Sequence, residues 1–160
     1  MKKLICFALA LTMTVVLMNS CDDDDNTTKP VEKVKSFQIV SYDNVVNGYA
    51  DSSEIPAAAI IKNISASSKN LMIKAEIEEL AFNHVVSFCD WQNCLEVKEG
   101  TPTISGSPKV LAANESTTSG DFHLILYPAN STGTTKIKFT AYVAEDTADS
   151  VQFHITYIVN

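Results

Sequence analysis

The chain of 160 residues contains no arginine: all twelve of its basic residues are lysine. Arginine's planar fork reads guanine edges and grips phosphate or carboxylate with paired hydrogen bonds. Its absence argues against nucleic acid and against bidentate anion recognition. Acidic residues number nineteen, and the net charge of −7 suits solubility and repulsion from anionic surfaces. Tryptophan occurs once, at Trp91, and glycine only five times. No glycine-rich phosphate loop, nucleophile elbow or zinc spacing is present. There is no internal repeat, and nothing beyond residue 20 has the period of a helix.

A long apolar run occurs once, at residues 4–17, behind the basic start Met1-Lys2-Lys3. It is too short for a comfortable bilayer span, which needs about 20 apolar residues. A charged start, a short apolar region and small residues near its end read as a secretory signal over residues 1–20. The signal ends in Leu17-Met18-Asn19-Ser20-Cys21, which resembles a loose bacterial lipobox, although Met18 and Asn19 depart from its tightest form. The resemblance implies that Cys21 is lipidated and becomes the mature N-terminus. Asp22, Asp23, Asp24 and Asp25 follow directly, and an acidic cluster there resembles the export signal of Bacteroidetes surface lipoproteins. It implies a lipid anchor in the outer membrane and display at the cell surface. The alternative is a solvated linker, and both readings make residues 21–33 an acidic, flexible tether without a packed core.

Cys6 lies in the signal, so Cys89 and Cys94 are the thiols left to the folded part. An exported compartment favours a disulfide between them. A bridge closing so short a loop stabilises by about 2 kcal/mol in the chain-entropy model. No further Cys or His stands near them at ligand spacing, so the sequence implies no metal site. A redox pair is disfavoured because CxxC is absent and the loop holds no basic residue to lower a thiol pKa.

Residues 34–160 carry a period of two, the signature of half-buried strands. Leu71, Ile73, Ala75 and Ile77 alternate with Met72, Lys74, Glu76 and Glu78. Phe122, Leu124 and Leu126 alternate with His123, Ile125 and Tyr127. Similar alternation marks residues 34–42, 136–143 and 151–159, with an adjacent apolar pair, Ile60 and Ile61, in residues 57–63. Shorter strands are expected at residues 85–88, 95–97 and 109–111. A turn-rich segment is expected around Asn47-Gly48, and a hairpin connection at residues 145–149. About seven to eight such strands separated by turn signals predict an all-β, antiparallel β-sandwich.

The stretches "KNISASSKNLMIKAEIEEL", "FCDWQNC" and "VLAANESTTSGDFHLILYPANSTGTTKIKFTAYVAEDTADSVQFHITY" resemble an immunoglobulin-like module of Bacteroidetes secreted proteins. The resemblance implies an immunoglobulin-like β-sandwich with a cysteine-closed aromatic loop, and it carries no catalytic residues. Asp90, between Cys89 and Trp91, departs from the pattern. An antibody-type bridge between sheets needs cysteines far apart in sequence, which these are not.

Trp91 sits at the centre of the stapled loop with Asp90, Gln92 and Asn93 around it. Two readings stand: a rigid contact surface for a sugar or a protein pocket, or a cap over one end of the core. Glu76 and Glu78 read as a solvated strand face beside Lys74 rather than as acid and base, which need a cleft and a raised pKa. His84, His123 and His154 are dispersed. No cofactor or metal is implied, and the chain reads as no enzyme. It reads as a surface-anchored binding or structural module with a surface protein or glycan as partner. The alternative is a small hydrolase or metal-dependent enzyme whose histidines converge in three dimensions. Asp146-Thr147-Ala148 and Asp149-Ser150-Val151 both resemble the Asp-Ser/Thr-apolar acceptor pattern of Bacteroidetes O-glycosylation, on Thr147 and Ser150.

Overall fold

The computed structural model describes residues 34–160. Cys21, the four aspartates after it, the signal and the tether lie outside the described residues. The described chain forms eleven strands and no helix: β1 (Phe37–Tyr42), β2 (Val45–Gly48), β3 (Ile55–Asn63), β4 (Lys69–Glu79), β5 (Val85–Cys89), β6 (Cys94–Val97), β7 (Thr103–Ile104), β8 (Lys109–Leu111), β9 (His123–Tyr127), β10 (Gly133–Val143) and β11 (Asp146–Val159). The alternating residues do what their period demands. Leu71, Ile73 and Ala75 are fully buried on β4, as are Leu124 and Leu126 on β9.

One sheet has the order β1-β3-β9-β5-β6; the other runs β2-β11-β10-β4-β7, with β8 also paired to β4. Read as A, B, E and D (β1, β3, β9, β5) and C, F and G (β4, β10, β11), these pairings are those of the immunoglobulin sandwich. The nine segments named from the sequence all form strands, and β2 and β7, which were not marked by alternation, bring the count to eleven, above the seven to eight expected. Each is short, and each lies at the edge of its sheet.

One pairing is parallel, β2 with β11. The Asn47-Gly48 segment, expected as a turn, is therefore strand. Gly48 is required by a close approach: a Cβ there would stand 2.2 Å from the Ile55 side chain. The β10–β11 connection is also tighter than expected. Val143 pairs with Asp146 and Tyr142 with Ser150, so residues 147–149 bulge out of the ladder.

Between the sheets, Phe88, Phe122, Phe139 and Phe153 form one aromatic cluster. Phe122 and Phe139 meet edge to face at 5.3 Å, and Phe139 stacks on Phe153 at 5.2 Å. Such pairs contribute about 0.5–1.5 kcal/mol beyond their buried area.

The strand registers define two poles. At the first, the Lys35 ammonium reaches the Ala148 carbonyl at 3.0 Å, and Ser36 donates to Asp149 from its N–H (2.8 Å) and its hydroxyl (2.6 Å). The pairs Phe37–Asn63, Leu71–Val143 and Cys89–His123 lie toward this pole. The pairs Val85–Tyr127 and Gly133–Val159 lie toward the opposite one.

Candidate functional site

Cys89 ends β5, Cys94 begins β6, and the two face each other across the hairpin. They form a disulfide with an S–S distance of 2.03 Å and Cα atoms 3.9 Å apart. The loop it closes is built by Asp90, which is only 6% exposed. Its Oδ1 accepts the N–H groups of Gln92 (2.8 Å) and Asn93 (2.7 Å), and its Oδ2 accepts that of Gly106 (2.9 Å). The Asp90 N–H in turn donates to the Asn93 carbonyl at 2.8 Å. Asp90 was expected among the contact groups of this loop. Its carboxylate is turned inward onto backbone donors, so it shapes the loop and anchors it to the segment before β8.

Trp91 is half-buried and packs against the hydrophobic core. That placement is the capping reading of the indole. Gln92 and Asn93 are exposed, and the Gln92 Oε1 accepts a hydrogen bond from the Ser107 hydroxyl at 2.7 Å. The loop stands at the pole where the described chain begins.

The opposite pole carries the two most exposed aromatic side chains of the described residues, Phe82 at 82% and Tyr49 at 70%. Both flank the 128–131 turn, where Ala129 and Asn130 adopt positive φ. The Asn130 N–H donates to the Ala50 carbonyl at 3.0 Å, and the Asn83 side chain donates to the Ser131 hydroxyl at 3.4 Å. Sequence reasoning did not select these residues. Phe82 stands between alternating strands, where period carries no information, and an isolated aromatic in a turn looks the same whether buried or free. Only the folded chain shows that both rings stand free of the core.

The histidines do not converge. His84 is buried, with Nε2 donating to the Ser131 carbonyl at 3.0 Å and Nδ1 bonded to the Thr135 hydroxyl at 2.8 Å. Thr135 also accepts the Ala81 N–H at 3.1 Å, so the β4–β5 turn is fastened to β10 through Thr135 and to the 128–131 turn through Ser131. His154 lies on the outer face of the second sheet, 3.2 Å from Glu78. His123 lies on the outer face of the first sheet, beside a shallow groove of about 490 Å³ lined also by Asp43, Pro56, Ala58 and Gly120.

Glu76 and Glu78 are paired with lysines. Glu76 meets Lys74 and Lys138, each at 3.1 Å, and Glu78 meets Lys136 at 3.0 Å. The hydrogen bond from Lys74 holds the Glu76 carboxyl below its ordinary pKa, and that from Lys136 does the same for Glu78. A general acid needs the opposite direction.

One group of potential ligand atoms was missed by sequence spacing. The sulfurs of Cys89 and Cys94 and a ring nitrogen of His123 all lie within 4.8 Å of one another. Twenty-eight residues lie between Cys94 and His123 in sequence, but β9 lies beside β5 and sets His123 opposite Cys89. Only the strand order could have revealed it.

Thr147 is exposed in the β10–β11 bulge, and Ser150 is half-buried on β11. Asp149, the acid preceding Ser150, is 4% exposed and held by Ser36.

No protein-family model matches this chain, and no curated protein does. Solved structures similar to it include the N-terminal domain of PorA, at 12% identity and TM-score 0.45 over 79% of this chain and 98% of that one. A conjugative transposon lipoprotein from Bacteroides eggerthii is 11% identical, with TM-score 0.44 over 76% of this chain and 93% of that one. WR4, an MSP family member of C. elegans, is 12% identical, with TM-score 0.43 over 79% of this chain and all 100% of that one. The class is a β-sandwich module of immunoglobulin-like pairing, and the roles of its residues rest on the geometry above.

Proposed function

We propose that this chain is a lipid-anchored surface protein whose β-sandwich is a non-catalytic binding module. In this reading Cys21 carries the lipid in the outer membrane and the four aspartates direct the protein outward. The partner is a surface protein or a glycan. The observation that carries the reading is the division of labour between the poles. The described residues begin at the pole of Ser36 and Asp149, whereas Phe82 and Tyr49 stand exposed at the other. A tethered binder engages its partner at the end away from its anchor. Exposed aromatic rings supply large apolar faces at small entropic cost, which suits a sugar ring or a protein pocket. The stapled Trp91 loop, at the pole where the described residues begin and packed on the core, is the lesser candidate.

The test has two parts. Phe82→Ala and Tyr49→Ala are expected to leave stability within about 0.5 kcal/mol, as exposed substitutions do. They are expected to abolish retention on glycan arrays or on outer-membrane extracts that the wild type retains. Retention unchanged in the double variant would overturn the assignment of this pole. For the anchor, intact mass of membrane-extracted protein is expected to begin at an acylated Cys21, and Cys21→Ala to release the protein. Replacing the four aspartates with alanine is expected to abolish protease shaving on whole cells while lipidation persists; equal shaving would reduce the acids to a linker.

A clustering of His84, His123 and His154 would have favoured the enzymatic alternative; they occupy a buried turn and the outer faces of two different sheets.

A further inference from the structure

We propose that Cys89, Cys94 and His123 form a redox-gated site for a zinc-class divalent cation, closed in the disulfide and created by its reduction. This inference is independent of the binding role proposed above.

The argument begins with the sheet. β6, β5 and β9 are neighbours, and one rung across them carries Cys94, Cys89 and His123 in order. Residues on one rung project to the same face. On β5 and β9 the core face belongs to Val86, Phe88, Leu124 and Leu126, so the three ligands share the outer face. Their sulfur and nitrogen atoms already lie within 4.8 Å of one another. Register therefore assembles the donor set without any loop having to close.

The donor chemistry selects the ion. Two thiolates and an imidazole suit zinc, with bonds of about 2.3 Å to sulfur and about 2.0–2.1 Å to nitrogen. In a tetrahedral site at those bond lengths the two sulfurs stand about 3.8 Å apart. In the disulfide the two sulfurs share a bond, so neither is a thiolate. Breaking the bond frees both side chains to turn about χ1 while the strands remain paired on either side. Cys94 is exposed, which opens the bond to a reductant and leaves the fourth coordination position to solvent.

The balance is simple. A dithiol reductant delivers two electrons and two protons to the Cys89–Cys94 bond and is itself oxidised to a disulfide. Two thiols result, and coordination of the divalent cation displaces their two protons to solvent. A disulfide oxidant reverses this: it accepts the two electrons, takes up two protons and leaves as two thiols, while the Cys89–Cys94 bond re-forms and the cation is released.

The experiment uses the purified protein with cobalt(II) as the optical probe and zinc(II) as competitor. In vitro a phosphine serves as reductant with water, which supplies the oxygen of the phosphine oxide and the two thiol protons. The reduced protein is expected to take up one cobalt ion with thiolate-to-metal charge-transfer absorption, and zinc is expected to displace it. The oxidised protein is expected to show no such band. His123→Ala is expected to keep two titratable thiols after reduction. Changing an outer-shell partner of a metal ligand costs about 10–100-fold in affinity, so losing a direct ligand here is expected to weaken binding about tenfold or more. Far-UV circular dichroism accompanies each titration. Three results would overturn the proposal: no charge-transfer band after reduction, equal affinity in the His123→Ala variant, or equal loading without reduction. Loss of the sheet signal on reduction that zinc does not restore would overturn it as well, since the site exists only in the paired strands.

Discussion

Replacing Asp90 with alanine removes a single acceptor that serves three backbone N–H groups, at 2.8, 2.7 and 2.9 Å. Hydrogen bonds to a charged group contribute about 1.5–3 kcal/mol each when the freed donor stays dry. Here Gln92, Asn93 and Gly106 are all exposed residues, so water recovers part of the loss at each. A total near 3 kcal/mol is expected, well short of the sum. Asp90→Asn separates the two oxygens. An amide oxygen at the Oδ1 position keeps the bonds to Gln92 and Asn93, while the amide nitrogen confronts the Gly106 N–H donor to donor. That variant is expected to lose about 1–2 kcal/mol. Urea unfolding followed by tryptophan fluorescence and circular dichroism reads both, with Tm falling by about 10 °C for alanine in a domain of this size. The reasoning fails if alanine costs less than about 1 kcal/mol, or if asparagine and alanine cost the same. A loss of partner binding with unchanged stability in Asp90→Asn would return Asp90 to the contact surface.

Trp91→Ala is expected to lower stability by about 2–3 kcal/mol, less than for a fully buried aromatic, because the indole caps the core; an unchanged melting temperature would contradict the capping role. Burial pushes the Asp121 carboxyl up, but the Lys109 ammonium at 2.7 Å and the Thr118 N–H and hydroxyl outweigh it and leave its pKa below 3.8. A carboxyl depressed in the folded state stabilises above its unfolded pKa, and that contribution is lost as pH falls through the folded value. Lys109→Met is therefore expected to be less stable than wild type at neutral pH and to approach it under acid conditions, and a constant difference across pH would refute the pairing. Peptide mapping of native protein is expected to find any O-glycan on exposed Thr147 and none on Ser150, whose preceding acid is buried against Ser36; a glycan on Ser150 alone would reverse this.

Period two exposed the long strands because one face of each is buried. Leu71, Ile73 and Ala75 on β4, and Ile137, Phe139 and Ala141 on β10, read correctly for that reason. β2 escaped because its side chains alternate only between exposed and half-buried, leaving no strong contrast to detect. Its Asn47-Gly48 pair also mimics a turn, although Gly48 is there to make room for Ile55. The disulfide was legible from compartment and spacing, because a hairpin sets its two cysteines opposite each other. The role of Asp90 was not, since residue type does not say whether a carboxylate turns toward solvent or toward backbone donors. The nearness of His123 to the cysteines was illegible for a different reason: it depends on which strand lies beside β5, and alternation assigns faces but never neighbours.

The parallel pair of β2 and β11 has a consequence for how the domain is made. Thr156 to Val159 accept Val45 to Gly48 as edge partners, so one of the earliest strands has its partner in the last of the eleven. A chain emerging from its amino end first would carry β2 unpaired until that last strand arrives. Closing so long a loop costs entropy that is repaid only at the end, which slows folding. β11 also fills the sheet beside β10, with Phe153, Ile155 and Tyr157 buried beneath it. The second sheet is therefore complete only once β11 has been delivered, and its β2 edge is the part that must wait for the whole domain.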